Sequence, residues 1–118
     1  MNQRLTDAKS IYLQISQMIE TDILRGILLE EERVPSTNEL AKLYTINPAT
    51  AAKGVNLLVD EGILYKKRGI GMFVATGATE AIRRRRKQEF YEVRLQELLH
   101  EAQSLGITKD ELIAQINK

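Results

Sequence analysis

Cysteine is absent from the 118 residues, which excludes a disulfide framework and any thiolate metal site. A single histidine, His100, leaves little from which to build a transition-metal centre, and a helix surface is its expected place. No apolar run approaches the length of a membrane span. The opening residues, MNQRLTDAKS, lack the apolar core of a secretory signal, so a cytoplasmic protein with no membrane partner is expected. A nucleophile elbow, a phosphate-cradling loop and a clustered acid pair in apolar surroundings are all missing. RGIG at 68–71 is too short to be a nucleotide fingerprint. Neither an enzyme nor a bound cofactor is expected.

A strong charge of one sign is also lacking, because 17 Lys and Arg face 16 Asp and Glu for a net charge of +1. The distribution is more informative than the total. From Leu40 to Val59 the charged residues are Lys42 and Lys53, and from Gly62 to Thr79 they are Lys66, Lys67 and Arg68, with no acid in either stretch. Acids gather at Glu30 to Glu32, at Asp60 and Glu61, and through the C-terminal third. A neutral total can thus conceal one face suited to an anion.

The chain is 43% hydrophobic, enough to fold, and its length suits one cored domain plus a modest extension. Ile11, Ile15, Met18, Ile19, Asp22 and Ile23 recur at helical spacing within residues 10–25, with Gly26 as a stop. ILLEEERV reads as a loop that holds at most a short strand. Ser36 and Glu39 form a capping box opening a second helix to about Tyr44, expected to bury Leu40, Ala41 and Leu43. Asn47 followed by Pro48 opens a third helix, because Asn caps orphan N–H groups and Pro fits the first turn. This helix, reaching Asp60 or Glu61, has an inner stripe of Ala51, Val55, Leu58 and Val59. Its outer side is small and polar: Pro48, Ala49, Lys53 and Asn56. Ile63 to Tyr65 and Met72 to Ala75 read as two strands joined by the cationic, glycine-containing tip KKRGIG.

Three helices followed by a basic hairpin form the pattern of a winged helix-turn-helix. The predicted fold is mainly α with a small β-hairpin: a winged helix-turn-helix at 1–76 and a two-helix region at 77–118. In such a motif the second helix of the pair enters the major groove by its N-terminal end. The groove is only about 12 Å wide, so small outward residues let the helix axis approach closely. Ala49 can then meet a thymine methyl, while Asn47, Thr50 and Lys53 can reach base edges or phosphates. Ser36 and Thr37 lie at a helix start, where backbone N–H groups favour a phosphate. Simple helix packing accounts for Ala51 and Gly54. Charged hairpin tips are common on any surface, but beside the acid-free stretch Leu40 to Val59, Lys66, Lys67 and Arg68 point to nucleic acid.

After Gly77, ATEAIRRRRKQEFYEVRLQELLHEAQSLG contains neither Pro nor internal Gly and suits one long helix; Thr108 and Glu111 then cap a last one. The run at 83–87 covers more than one helical turn and cannot present a single contact face. A solvated or inter-helix role, offset by Glu89, Glu92, Glu97 and Glu101, suits it better than direct phosphate contact. Phe90, Val93, Leu98, Leu99, Ala102, Leu105, Leu112, Ile113 and Ile116 form apolar faces that two short helices cannot cover alone, so a homodimer is expected.

The segments IYLQI, VPSTNELA, LLVDEGIL and GIGMFV together resemble the N-terminal domain of GntR-family bacterial transcription regulators, over residues 11–74. The short two-helix remainder is similar to that of the YtrA-like subfamily. That resemblance implies a tail serving dimerisation in place of a large ligand-binding domain. It implies a repressor of its own operon, with an ABC transporter among the regulated genes. Thr50, Gly69 and Gly71 match the family's pattern, which implies a DNA contact at Thr50 and a close approach of the wing backbone to the minor groove at Gly69. The family commonly has Arg where this chain has Asn38, Pro48 and Ala52, and Gly where it has Glu31. With those arginines replaced, base discrimination falls to Asn38, Asn47, Ala49 and Thr50. The expected partners are double-stranded DNA, read as an inverted repeat, and a second copy of the chain; no feature designates a small-molecule effector. The alternative is a winged helix used as a protein-interaction module.

Overall fold

The computed structural model describes Leu5 and residues 10–118. Most of the opening segment read above for a secretory signal lies outside the described residues. The elements run α1 (Ile11–Leu24), α2 (Thr37–Tyr44), α3 (Pro48–Asp60), β1 (Leu64–Lys67), β2 (Gly71–Val74), α4 (Ala78–Glu89), a π-helical segment (Phe90–Arg94), α5 (Leu95–Ser104) and α6 (Lys109–Ile116). They group into two compact units, one ending at Arg83 and the other spanning Arg84–Lys118.

The first unit is built around α1. Ile15, Ile19 and Ile23 recur every four residues, so they stack on one face, and all three are fully buried. They meet Leu40 and Ala41 of α2, Ala51, Val55 and Leu58 of α3, and Leu64 and Val74 of the hairpin. Ala78 and Ile82, at the start of α4, belong to the same core. Leu43 does not: it is 57% exposed, contrary to the sequence expectation. At about 100° per residue the core-facing stripe of α2 runs through Leu40, Ala41 and Tyr44, and Leu43 falls beside it. Tyr44 instead packs against the core.

α1 and α3 touch backbone to backbone. The Ser16 hydroxyl donates to the Gly54 carbonyl at 2.6 Å. A Cβ added at Gly54 would lie 2.6 Å from the Tyr12 carbonyl oxygen and 3.1 Å from Ile15. Gly54→Ala must therefore push the helices apart, and it is expected to destabilise the fold by about 1–3 kcal/mol. Urea unfolding of the variant beside wild type checks this.

In the hairpin Leu64 pairs with Val74, Tyr65 with Phe73, Lys66 with Met72 and Lys67 with Gly71. The ILLEEERV segment is a loop that touches the two-stranded sheet through an isolated bridge, Arg33 to Phe73, and Val34 N–H bonds to the Met72 carbonyl at 2.9 Å. Glu31, in the same segment, adopts φ +67°, a left-handed conformation unusual for a side-chain-bearing residue. Its carboxylate accepts hydrogen bonds from the Tyr65 hydroxyl and, at 2.7 Å, from Thr76. Glu30 accepts from the N–H groups of Gly77 at 2.8 Å and Thr79 at 3.2 Å, and so caps the start of α4.

These donors hold both carboxyls below the ordinary carboxylate value of 4.5, the Gly77 N–H foremost for Glu30 and the Tyr65 hydroxyl for Glu31. A depressed folded-state pKa adds stability above the unfolded value and loses it as pH falls through the folded value. The first unit is thus expected to weaken below about pH 4.5, with Glu30→Gln/Glu31→Gln showing a shallower acid dependence than wild type. Urea midpoints measured across the acid range test it.

The second unit corrects the expectation of one uninterrupted long helix. Leu95 N–H reaches back five residues to the Phe90 carbonyl, so 90–94 is π-helical, and the side-chain amide of Gln96 donates to the Tyr91 carbonyl at 3.3 Å. Such a bulge inserts one residue and turns everything beyond it by about 100° relative to a regular helix. The capping box of Thr108 and Glu111 opens α6 as expected. Among the described residues, no helix is long and apolar enough to cross a membrane.

Candidate nucleic-acid interface

The α2–α3 corner is built by local chemistry. Ser36 Oγ accepts from Glu39 N–H at 3.1 Å, and the Glu39 carboxylate accepts from Ser36 N–H at 3.2 Å. That reciprocal cap holds the Glu39 carboxyl below its ordinary value, through the Ser36 N–H first. It also occupies one of the amides that would otherwise point at a phosphate, while the Ser36 O–H remains a donor. α2 ends in Thr45, which is left-handed (φ +52°, ψ +53°). Ile46 N–H then returns to the Ala41 carbonyl at 3.0 Å. Asn47 Oδ1 caps Ala49 N–H at 2.8 Å, so its amide NH₂ keeps its two donors for another acceptor.

The expected contact residues fall as three groups on the first unit. Ser36 and Thr37 are half-buried and Asn38 exposed at the start of α2. Asn47, Pro48, Ala49 and Lys53 are exposed, and Thr50 half-buried, on the first half of α3. Lys66, Lys67, Arg68 and Gly69 are all exposed on the wing, where Gly69 takes φ +79° to make the turn. The three wing cations are not equivalent. Lys67 folds back over the Phe73 ring, 4.4 Å from its centroid, whereas Lys66 and Arg68 have no ion-pair partner among the described residues.

Two residues went unread in the sequence. Arg33 lies against Gly71 of the wing, its Nε 2.8 Å from where a Cβ would stand. Its guanidinium is 3.9 Å from Glu39, so this exposed cation links the wing to the start of α2. Only its place just ahead of VPSTNELA could have marked it. The other is Tyr12, whose ring carries the Lys53 ammonium at 4.1 Å. Of the 83–87 run, Arg83 pairs with Glu80 at 2.6 Å. In the second unit Phe90, Val93, Leu98, Leu105, Ile113 and Ile116 are exposed, Leu99 and Leu112 half-buried, and Ala102 already buried.

A helix-turn-helix whose second helix is small-residued and free of acids before its last residue, beside a cationic wing, defines a DNA-binding protein of the winged-helix class. Residues 11–74 match the family described as "Bacterial regulatory proteins, gntR family", and the chain belongs to it. This is a family of transcription regulators, not of enzymes. The chain is 31% identical to the uncharacterized HTH-type transcriptional regulator YhcF of Bacillus subtilis, over 98% of this chain and 94% of that one. It is 30% identical to the HTH-type transcriptional repressor YtrA of the same organism, over 86% of this chain and 78% of that one. Among solved structures it resembles a GntR family regulator from Listeria monocytogenes, with TM-score 0.79, 28% identity, and coverage of 96% and 97%.

Other likenesses concern part of the chain. It spans only 17% of the arabinose metabolism transcriptional repressor of Halalkalibacterium halodurans, 41% identical over 54% of this chain. The DNA-binding domain of AraR, solved in complex with an operator, covers 64% of this chain with TM-score 0.55, 30% identity and 92% of its own length matched.

Proposed function

We propose that the protein is a homodimeric repressor that binds an inverted-repeat operator in the cytoplasm, with residues 1–76 reading DNA and 77–118 pairing the copies. The observation that carries this reading is the exposed, acid-free first half of α3, where Asn47, Pro48, Ala49 and Lys53 project from the corner. Small side chains there let the helix axis enter the major groove. Base recognition falls to Asn38, Asn47, Ala49 and Thr50, and the wing cations supply attraction that is indifferent to sequence. The likeness to YtrA, named a repressor, and to an AraR domain seen on its operator supports this assignment. By the same subfamily likeness, the regulated genes are its own operon and an ABC transporter.

Two-fold symmetry then requires half-sites whose centres lie about one helical turn, or a multiple of it, apart. The test begins with DNA upstream of the protein's own gene, footprinted and then titrated with salt against a scrambled duplex. Thr50→Ala is expected to cost about 1–3 kcal/mol on the operator and little on scrambled DNA. Arg68→Ala is expected to weaken both duplexes and reduce the salt slope by about one ion per wing. Salt-insensitive retention, or a footprint over one asymmetric half-site, would favour the interaction-module alternative or a monomeric reader respectively.

A further inference from the structure

We propose that Tyr12 is a positioning residue for DNA binding: its ring holds the Lys53 ammonium and thereby aims it at the phosphate strand bordering the major groove. This rests on the reading of α3 as the groove helix. The arrangement follows from the close contact of α1 and α3. Gly54 brings α3 against the Tyr12 carbonyl, and the Ser16–Gly54 hydrogen bond of 2.6 Å fixes the approach. Tyr12 lies one turn before Ser16, and Lys53 directly precedes Gly54. Their side chains therefore meet, Nζ 4.1 Å from the ring centroid.

The pair lines an open cleft of about 540 Å³ together with Ala49, Ala52, Asn56, Leu57 and Asp60. Although Asp60 shares the cleft, Lys53 has no ion-pair partner among the described residues; it rests on the aromatic face. Lys53 is exposed, so the side of its ammonium away from the Tyr12 ring is open to solvent. With the ring occupying one side, its N–H donors are confined to the open side. A free lysine would sample many rotamers and lose them on binding; this one is restrained beforehand. To a sugar-phosphate strand the cleft offers small alanine walls, the Asn56 amide and one oriented cation, with the Asp60 carboxylate also in its lining.

The experiment is a double-mutant cycle on operator DNA, with Tyr12→Phe, Tyr12→Leu, Lys53→Ala and the Tyr12→Leu/Lys53→Ala pair. Tyr12→Phe keeps the aromatic face and is expected to bind as wild type. Tyr12→Leu is expected to weaken binding about two- to five-fold, the scale of an exposed cation–π contact. Lys53→Ala is expected to lower the salt slope by about one ion per protomer, and Tyr12→Leu to add nothing in its background. In the free protein, ring-current shifts of the Lys53 ε-methylene protons are expected in wild type and Tyr12→Phe and to vanish in Tyr12→Leu, which reports the contact without DNA. If Lys53→Ala changes neither affinity nor salt slope, α3 does not present this face to DNA and the underlying reading fails with the proposal. If Lys53→Ala matters but Tyr12→Leu is additive with it, or Tyr12→Phe loses as much as Tyr12→Leu, only the positioning role is overturned.

Discussion

Asp at both Leu98 and Leu99 is expected to convert the protein to a monomer and to lower operator affinity by about 10²-fold or more. The second unit leaves much of its apolar surface uncovered: Phe90, Leu98, Leu105, Ile113 and Ile116 are all more than half exposed. A 35-residue helical unit, Arg84–Lys118, offers little interior in which to hide them. On the proposed reading a second copy covers this surface, and loss of the bivalent linkage is expected to remove an avidity factor of roughly 10²–10⁴. Leu98 faces outward, so Leu98→Asp alone separates the partner contact from any packing role of half-buried Leu99. Sedimentation at micromolar concentration, with circular dichroism to verify helicity, measures the first effect. A wild-type protein that sediments as a monomer would sink the idea outright.

Much of the architecture was legible because it is written in local chemistry. Ser36 with Glu39, and Thr108 with Glu111, form reciprocal caps whose residue types and spacing leave few other readings, and both occur. The Asn47–Pro48 start of α3 and the glycine-containing wing turn are of the same kind. What escaped notice depends on pairings distant in sequence. Glu30 caps α4 from 47 residues away, and no local spacing could announce it. Glu31 keeps a left-handed backbone, and its carboxylate accepts from Tyr65 and Thr76, 34 and 45 residues away. The π-helical segment also stayed hidden, since composition that suits a helix does not reveal one inserted residue.

The same division runs through the candidate site. The small residues of α3 and the cations of the wing stand out in the sequence because they are contiguous. Arg33 and Tyr12 do not, because each matters only through a neighbour brought by folding: Gly71 and Glu39 for the first, Lys53 for the second. A list of cations would rank Lys66, Lys67 and Arg68 alike. The structure separates them, with Lys67 laid across Phe73 and the other two exposed with no ion-pair partner among the described residues.

Ala49→Glu is expected to abolish specific binding, by roughly 10²–10³-fold or more, while leaving the fold intact. Ala49 is exposed on the first turn of α3, with its N–H already satisfied by Asn47 Oδ1 at 2.8 Å. The variant removes no core contact, and a carboxylate in the first turn is favoured by the helix dipole, so stability should hold or rise slightly. On DNA the same carboxylate would stand between phosphate backbones in a groove about 12 Å wide, where like-charge juxtaposition costs several kcal/mol. Ala49→Gln carries nearly the same volume without the charge and divides the effect into its steric and electrostatic parts. If crowding dominates, Gln and Glu fail together at every ionic strength. If charge dominates, Glu alone fails at low salt and the gap between them narrows as salt rises. The measurement is a salt titration of both variants on operator and scrambled duplexes, beside their urea midpoints. Normal operator binding by a folded Ala49→Glu protein would mean that α3 is not in the groove, and a protein partner would then be the better claimant for this surface.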